Sequence, residues 1–217
     1  MTVETRTALD RSAGPSERRV HTGAVVSVLA FAGMCAAFTQ TILIPIQGEL
    51  PQLLNTSASN TAWVITITLL VAAICTPISG KLGDMYGKRR VALILLAVLM
   101  LGSAVAALSP TVLPLIIGRG LQGVGMGVIP LGIAILRDTL PADRLGSAIA
   151  LVSATLGVGG ALGLPVSALV SEHFDWHVLF WVAAGLGATA FALMASVVPE
   201  SALRVGGRVD KIGRAHV

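Results

Sequence analysis

The chain has 217 residues, 54% of them hydrophobic and only 12% charged, and carries a formal net charge of +4. A soluble domain covers itself with roughly 25% Asp, Glu, Lys and Arg, so most of this surface faces something other than water. High apolar content with little charge also excludes disorder, and the two cysteines, Cys35 and Cys75, lie inside apolar runs that suggest no disulfide framework or metal cluster.

Charge-free runs mark the elements. Residues 22–48, 50–80, 91–118, 145–171 and 176–199 hold no Asp, Glu, Lys or Arg, and 111–136 is interrupted only by Arg119. A spanning helix needs about 20 mostly apolar residues at ~1.5 Å rise each, and in lipid a helix satisfies its own backbone. The predicted spans are about 22–46, 60–80, 91–109, 111–136, 146–170 and 178–199, forming an all-α membrane bundle between tails at 1–21 and 200–217. The alternating segments of about ten residues that mark a membrane β-barrel are absent. The first run is too long for the apolar region of a signal peptide and lacks a clear cleavage site, so it is read as a retained helix.

Cations give the orientation. Arg6, Arg11, Arg18 and Arg19 precede the first span; Lys81, Lys88, Arg89 and Arg90 follow the second; Arg137 and Arg144 follow the fourth; Arg204, Arg208, Lys211 and Arg214 follow the sixth. Fourteen of fifteen Lys and Arg thus fall on one side, and the remaining one is Arg119. The other loops carry Glu49, Glu172 and Asp175 and no cation. Lys and Arg accumulate in cytoplasmic loops, so both termini are expected in the cytoplasm of a cell (plasma or inner) membrane. The basic charge then reflects topology rather than a nucleic-acid partner, and no basic patch is interleaved with aromatics.

Between the second and third spans stands Gly80-Lys81-Leu82-Gly83-Asp84-Met85-Tyr86-Gly87-Lys88-Arg89-Arg90. Its glycines permit a tight turn, and Asp84 is expected to accept hydrogen bonds from the free N–H groups at the start of the third span. An ordinary cytoplasmic hairpin would account for the cations alone. The pattern resembles the signature loop of the major facilitator superfamily, G-x-L-(G/A)-D-x-x-G-(K/R)-(K/R)-(K/R), and falls where that family has it. The resemblance implies an intracellular gating loop built from Gly80, Gly83, Asp84, Gly87, Lys88, Arg89 and Arg90, which latches two six-helix halves in the outward-open state.

In the fourth span, Arg119-Gly120-Leu121-Gln122-Gly123 resembles the family's R-x-x-Q-G motif. An arginine near the membrane centre costs at least about 2.5–3.5 kcal/mol, so it is expected to face the interior and find a partner. Gln122, three residues on, shares its helical face. The other reading of Arg119 is a side chain snorkelling from a helix end. The resemblance implies a role in proton or substrate coupling. Gly118, Gly120, Gly123, Gly125 and Gly127 allow close helix approach.

The fifth span carries Gly157-Val158-Gly159-Gly160-Ala161-Leu162-Gly163-Leu164-Pro165. Gly159 and Gly163 form a small-residue packing face, and Pro165 is expected to bend the helix. The run also resembles the G-x-x-x-G-P-x-x-G-G motif of drug–proton antiporters, with Leu164 inserted before Pro165 and Ser167-Ala168 in place of the paired glycines. That likeness implies a gate at Gly159, Gly163 and Pro165. Arg137–Arg144 resembles the family's linker after the fourth span. Asp175-Trp176-His177-Val178-Leu179-Phe180 resembles its W-R-x-x-F start of the sixth span, with His177 in place of arginine. Trp176 and Trp181 also suit interfacial anchoring, and His177 is read as an interfacial residue in preference to a proton site.

No Asp or Glu lies within the six spans, although proton-driven transport commonly uses an intramembrane carboxylate. Thr39-Gln40-Thr41 stands where the 14-span antiporter branch often has an Asp before its T-I-V run, with Thr39 or Gln40 at the acid's position, and Gln40 and Thr41, together with Trp63, are candidate cavity residues. The resemblance implies the N-terminal half of a secondary transporter: a small-molecule substrate, a proton gradient as energy source, no cofactor, no metal, no enzymatic chemistry, and a C-terminal half as partner within the bilayer. Proton-coupled drug or small-solute efflux is the leading expectation. A nutrient importer of the same superfamily and a non-transporting six-span scaffold are the alternatives. The final Lys211-Ile212-Gly213-Arg214-Ala215-His216-Val217 back-translates to the start of a common sequencing adapter, so native sequence is expected to end near Asp210 and the chain to be a fragment.

Overall fold

The computed structural model describes residues 22–199. The tails at 1–21 and 200–217, with the suspected adapter residues 211–217, lie outside the described residues. The helices are α1 (Thr22–Thr41), α2 (Leu50–Leu53), α3 (Ala58–Tyr86), α4 (Lys88–Ala107), α5 (Val112–Gly125), α6 (Val128–Thr139), α7 (Ala142–His173) and α8 (His177–Val197). With α5 and α6 taken as one broken span, six units among the described residues are long and apolar enough to cross a membrane. There is no strand among the described residues.

Several boundaries depart from the charge-free runs, each for a local reason. The first helix is regular only to Thr41 rather than to 46. Pro45 lacks an N–H, and its ring clashes with the carbonyl four residues back, which is that of Thr41; a series of turns follows instead. The segment read as a loop at 47–59 contains the short α2, with Pro51 in its first turn. The fourth span breaks at Met126-Gly127. Pro130 removes the N–H that would have bonded Met126, and glycines on either side lower the cost of reorienting the chain. Leu140 is extended (φ −106°, ψ 144°) because Pro141 follows it, and that stops α6.

The expected loop at 80–90 is almost entirely helix. α3 continues to Tyr86 and α4 begins at Lys88, so one residue, Gly87, makes the turn at φ 102°. A side chain there would be strained, whereas glycine adopts that conformation freely.

Packing fixes which loops share an end. Lys88 after α3 is 2.7 Å from Asp138 near the end of α6, so the two cation-bearing turns lie together. Arg89 Nη2 donates to Ala195 O near the end of α8 at 2.6 Å. At the other end, His177 at the start of α8 is 2.9 Å from Ser109 O in the α4–α5 turn. Trp176 packs there in one apolar cluster with Leu50, Leu54 and Leu115. A second cluster, including Val25, Val91, Leu95, Leu131 and Leu136, fills the cation-bearing half. α1 packs on α7, and α4 on α5 and α8, through these clusters.

The α4–α5 contact is backbone against backbone. A Cβ on Gly118 would lie 2.7 Å from Gly102 O, and one on Gly102 would lie 2.6 Å from Gly118 O. Without side chains at this crossing, the two helices close to the separation that membrane helices use when no hydrophobic force drives them together.

Candidate functional site

Arg119 is buried in the bundle, 1% exposed, on the face of α5 that meets α1, α3 and α4. Its Nη1 donates to Thr39 O of α1 at 2.9 Å and to Gln122 Oε1 at 2.8 Å. Its Nε donates to Val64 O of α3 at 3.3 Å. Gln122 Nε2 in turn donates to Ser103 Oγ of α4 at 2.9 Å, and Ser103 Oγ donates to Leu99 O at 2.9 Å. One guanidinium thereby ties four helices, and it does so through neutral acceptors. No Asp or Glu is within ion-pairing distance of it among the described residues. The snorkelling alternative is excluded, because this side chain points inward.

The sequence placed Arg119 and Gln122 on one face, and the structure brings them together. Gln40 and Thr41 are elsewhere. Gln40 is half-buried and makes no side-chain hydrogen bond among the described residues. Thr41 faces α7, where a Cβ on Gly163 would collide with its Oγ1. Thr41 is thus joined to the residues read as the fifth-span gate rather than to Arg119. Gly159 meets Met34 O of α1 in the same close manner. Pro165 is exposed, and α7 runs on through it. Ser103 and the Thr39 and Val64 carbonyls were missed. Only Ser103 left a signal in the sequence, as a hydroxyl beside Gly102 within an apolar span.

In the turn between α3 and α4, Gly83 packs under Leu131 of α6 and Gly80 has open space around it. Asp84 does not cap α4, whose first turn has Gly87 as N-cap and no side-chain cap bond. The extension of α3 to Tyr86 carries Asp84 onto its surface, 60% exposed, one turn from Lys88, whose Nζ is 3.7 Å away. Lys88 itself is mostly buried between Asp84 and the nearer Asp138. Arg90 is exposed on the same turn.

These features, a buried R-x-x-Q pair in the fourth span and a glycine turn with a buried lysine after the second, coincide with a sequence match. The sequence model of the Major Facilitator Superfamily matches residues 29–213. The chain belongs to the Major Facilitator Superfamily. It is a multi-pass membrane protein of that superfamily.

Among superfamily members, the chain is 32% identical over 160 residues to the uncharacterized MFS-type transporter YvkA of Bacillus subtilis (strain 168), covering 73% of this chain and 36% of that protein. It is 29% identical over 185 residues to multidrug resistance protein 3 of the same organism, covering 85% and 36%. With the lincomycin resistance protein LmrB of Listeria monocytogenes it shares 29% over 159 residues, covering 73% and 34%. The fold is similar to that of about half of the partially occluded inward-open xylose transporter XylE from E. coli, with TM-score 0.75 and 15% identity over 83% of this chain and 49% of that one. The chain spans about a third of the length of the curated superfamily relatives it matches.

Proposed function

We propose that the chain supplies the first six helices of a secondary active transporter that exports drugs or other small solutes by alternating access. The observation that carries this reading is Arg119. A buried cation held by neutral acceptors is expensive to keep in a membrane bundle, and helices pack together in a membrane without one. Resistance proteins among the relatives favour export as the direction.

In this reading the two halves of the complete protein rock about a site at their interface, and a proton gradient drives the exchange. The turn at Gly87 acts as the intracellular latch. Lys88 secures it to Asp138 within this half, while the exposed Asp84 is free to engage the second half. The cation-bearing end faces the cytoplasm, in keeping with the positive-inside rule. Arg119 and Gln122 serve coupling or substrate positioning, and the Thr41–Gly163 and Met34–Gly159 contacts form the seam along which α1 and α7 shift.

The test is energised efflux in everted membrane vesicles carrying the complete reading frame that contains this chain. An imposed acid interior should drive uptake of ethidium or of an antibiotic such as lincomycin, and dissipating the gradient should stop it. Gradient-independent equilibration across a broad panel of drugs and solutes would overturn the proposal.

A further inference from the structure

At the end opposite the cation-bearing turns, the ring of His177 lies between two hydrogen-bond acceptors. Its Nε2 is 2.9 Å from Ser109 O in the α4–α5 turn, and its Nδ1 meets Asp175 Oδ1. A carbonyl and a carboxylate oxygen only accept, so each ring nitrogen needs a hydrogen to bond, and only the imidazolium has both. The neutral ring carries one. It either keeps Ser109 and turns a lone pair on the carboxylate, or keeps Asp175 and releases the turn. We propose that His177 and Asp175 are a proton-binding site whose occupancy fastens the start of α8 to the α4–α5 turn.

Asp175 is set up as the anionic partner. Its Oδ1 also accepts the backbone N–H of His177 at 2.8 Å. That bond, followed by the side-chain bond and charge of His177, holds its carboxyl below the usual carboxylate range despite slight desolvation. Trp176 stacks on the imidazole with ring centroids 3.8 Å apart, which adds an aromatic face against the cation. A permanently charged arginine would make the same contacts at every pH, whereas histidine changes charge in the physiological range.

The surroundings leave this pair isolated. Glu49, Glu172 and His173 are exposed at the same end, and His173 Nδ1 engages Leu169 O at 3.0 Å. α1 contributes no acid or base beyond the buried Cys35. The cations of α4, namely Lys88, Arg89 and Arg90, sit at its far end, ~30 Å away at ~1.5 Å per residue. Arg119 of α5 is occupied by Thr39, Val64 and Gln122. Among the described residues, Asp175 is the acid that pairs with His177. The site stands apart from the transport proposal and does not depend on it.

The test uses the chain in lipid nanodiscs with Trp63→Phe and Trp181→Phe, so that Trp176 is its one remaining tryptophan. Protonation of the stacked ring should quench Trp176 along a one-proton curve. His177→Gln and His177→Arg should abolish the curve. Hydrogen exchange of residues 108–112 is read alongside, as the ratio to His177→Arg at each pH, which cancels the intrinsic pH dependence. That ratio should be near one in acid and rise severalfold above the titration. A flat fluorescence profile with His177 present, a curve that persists in His177→Gln, or an exchange ratio constant with pH would each overturn the proposal.

Discussion

Lys88 Nζ lies 2.7 Å from Asp138, on the neighbouring cation-bearing turn, and 3.7 Å from Asp84 on its own helix face. Lys88 and Asp138 are mostly buried, while Asp84 is 60% exposed, so the two carboxylates have different roles. Asp138→Asn weakens the partner of a mostly buried ammonium and should destabilise the bundle by about 1–3 kcal/mol, the cost of an unsatisfied buried group. Asp84→Asn should change stability by less than about 0.5 kcal/mol, yet abolish transport by the complete protein without affecting insertion. Unfolding in mixed micelles and vesicle efflux measure the two effects separately.

Gly118 and Gly102 leave no room for even one methyl group. Gly118→Ala should therefore cost about 1–3 kcal/mol by overpacking and separate α4 from α5. Gly157, on the exposed face of α7, has nothing within 4 Å of an added Cβ. Gly157→Ala should be neutral or stabilise by up to about 1 kcal/mol through helix propensity. Equal effects of the two substitutions in the same unfolding assay would refute the contact geometry.

Arg119→Leu removes the donor that satisfies Gln122 Oε1 and bridges to Thr39 and Val64. Leaving the amide oxygen orphaned should cost about 1–3 kcal/mol, partly offset by no longer burying a charge. Adding Gln122→Leu should recover much of the loss, because the double variant leaves fewer polar atoms unmatched. A double-mutant cycle on unfolding free energies measures this coupling directly.

Asp175 gives a pH dependence of fixed sign. Its carboxyl titrates below the usual range in the folded chain, so its contribution is present above the unfolded value and is lost as pH falls through the folded one. Acidification below the ordinary carboxylate range should loosen the start of α8, and Asp175→Asn should remove that acid-dependent loss. Thermal melts across the range from about pH 2 to 5 would show it as a difference between the two proteins.

The six spans and their two unlike ends were legible in the sequence because charge is too costly to place at random in a membrane chain. Helix ends were less so. α3 runs past its first cation to Tyr86, since a helix can project beyond the lipid, and it stops only where Gly87 takes a positive φ. The proline-driven boundaries at Thr41 and Met126 were readable locally, but hydropathy alone hides them. At the site, the Arg119–Gln122 pair followed from helical spacing. Its partners on α1 and α3 are backbone carbonyls, chemically alike at every residue, and only the crossing of helices at Gly102 and Gly118 selects Thr39 and Val64. Gln40 was chosen for its polar side chain, whereas the neighbouring main chain makes the contact.

The central claim is that the interior guanidinium serves transport and does more than hold helices together. Arg119→Lys keeps a cation but loses the planar fork that reaches three acceptors. The deciding measurement is gradient-driven efflux by the complete protein in everted vesicles, normalised to the amount of folded protein in the membrane. Efflux lost in Arg119→Lys at unchanged folded abundance is the predicted result. Efflux at the parental rate per folded molecule would contradict it.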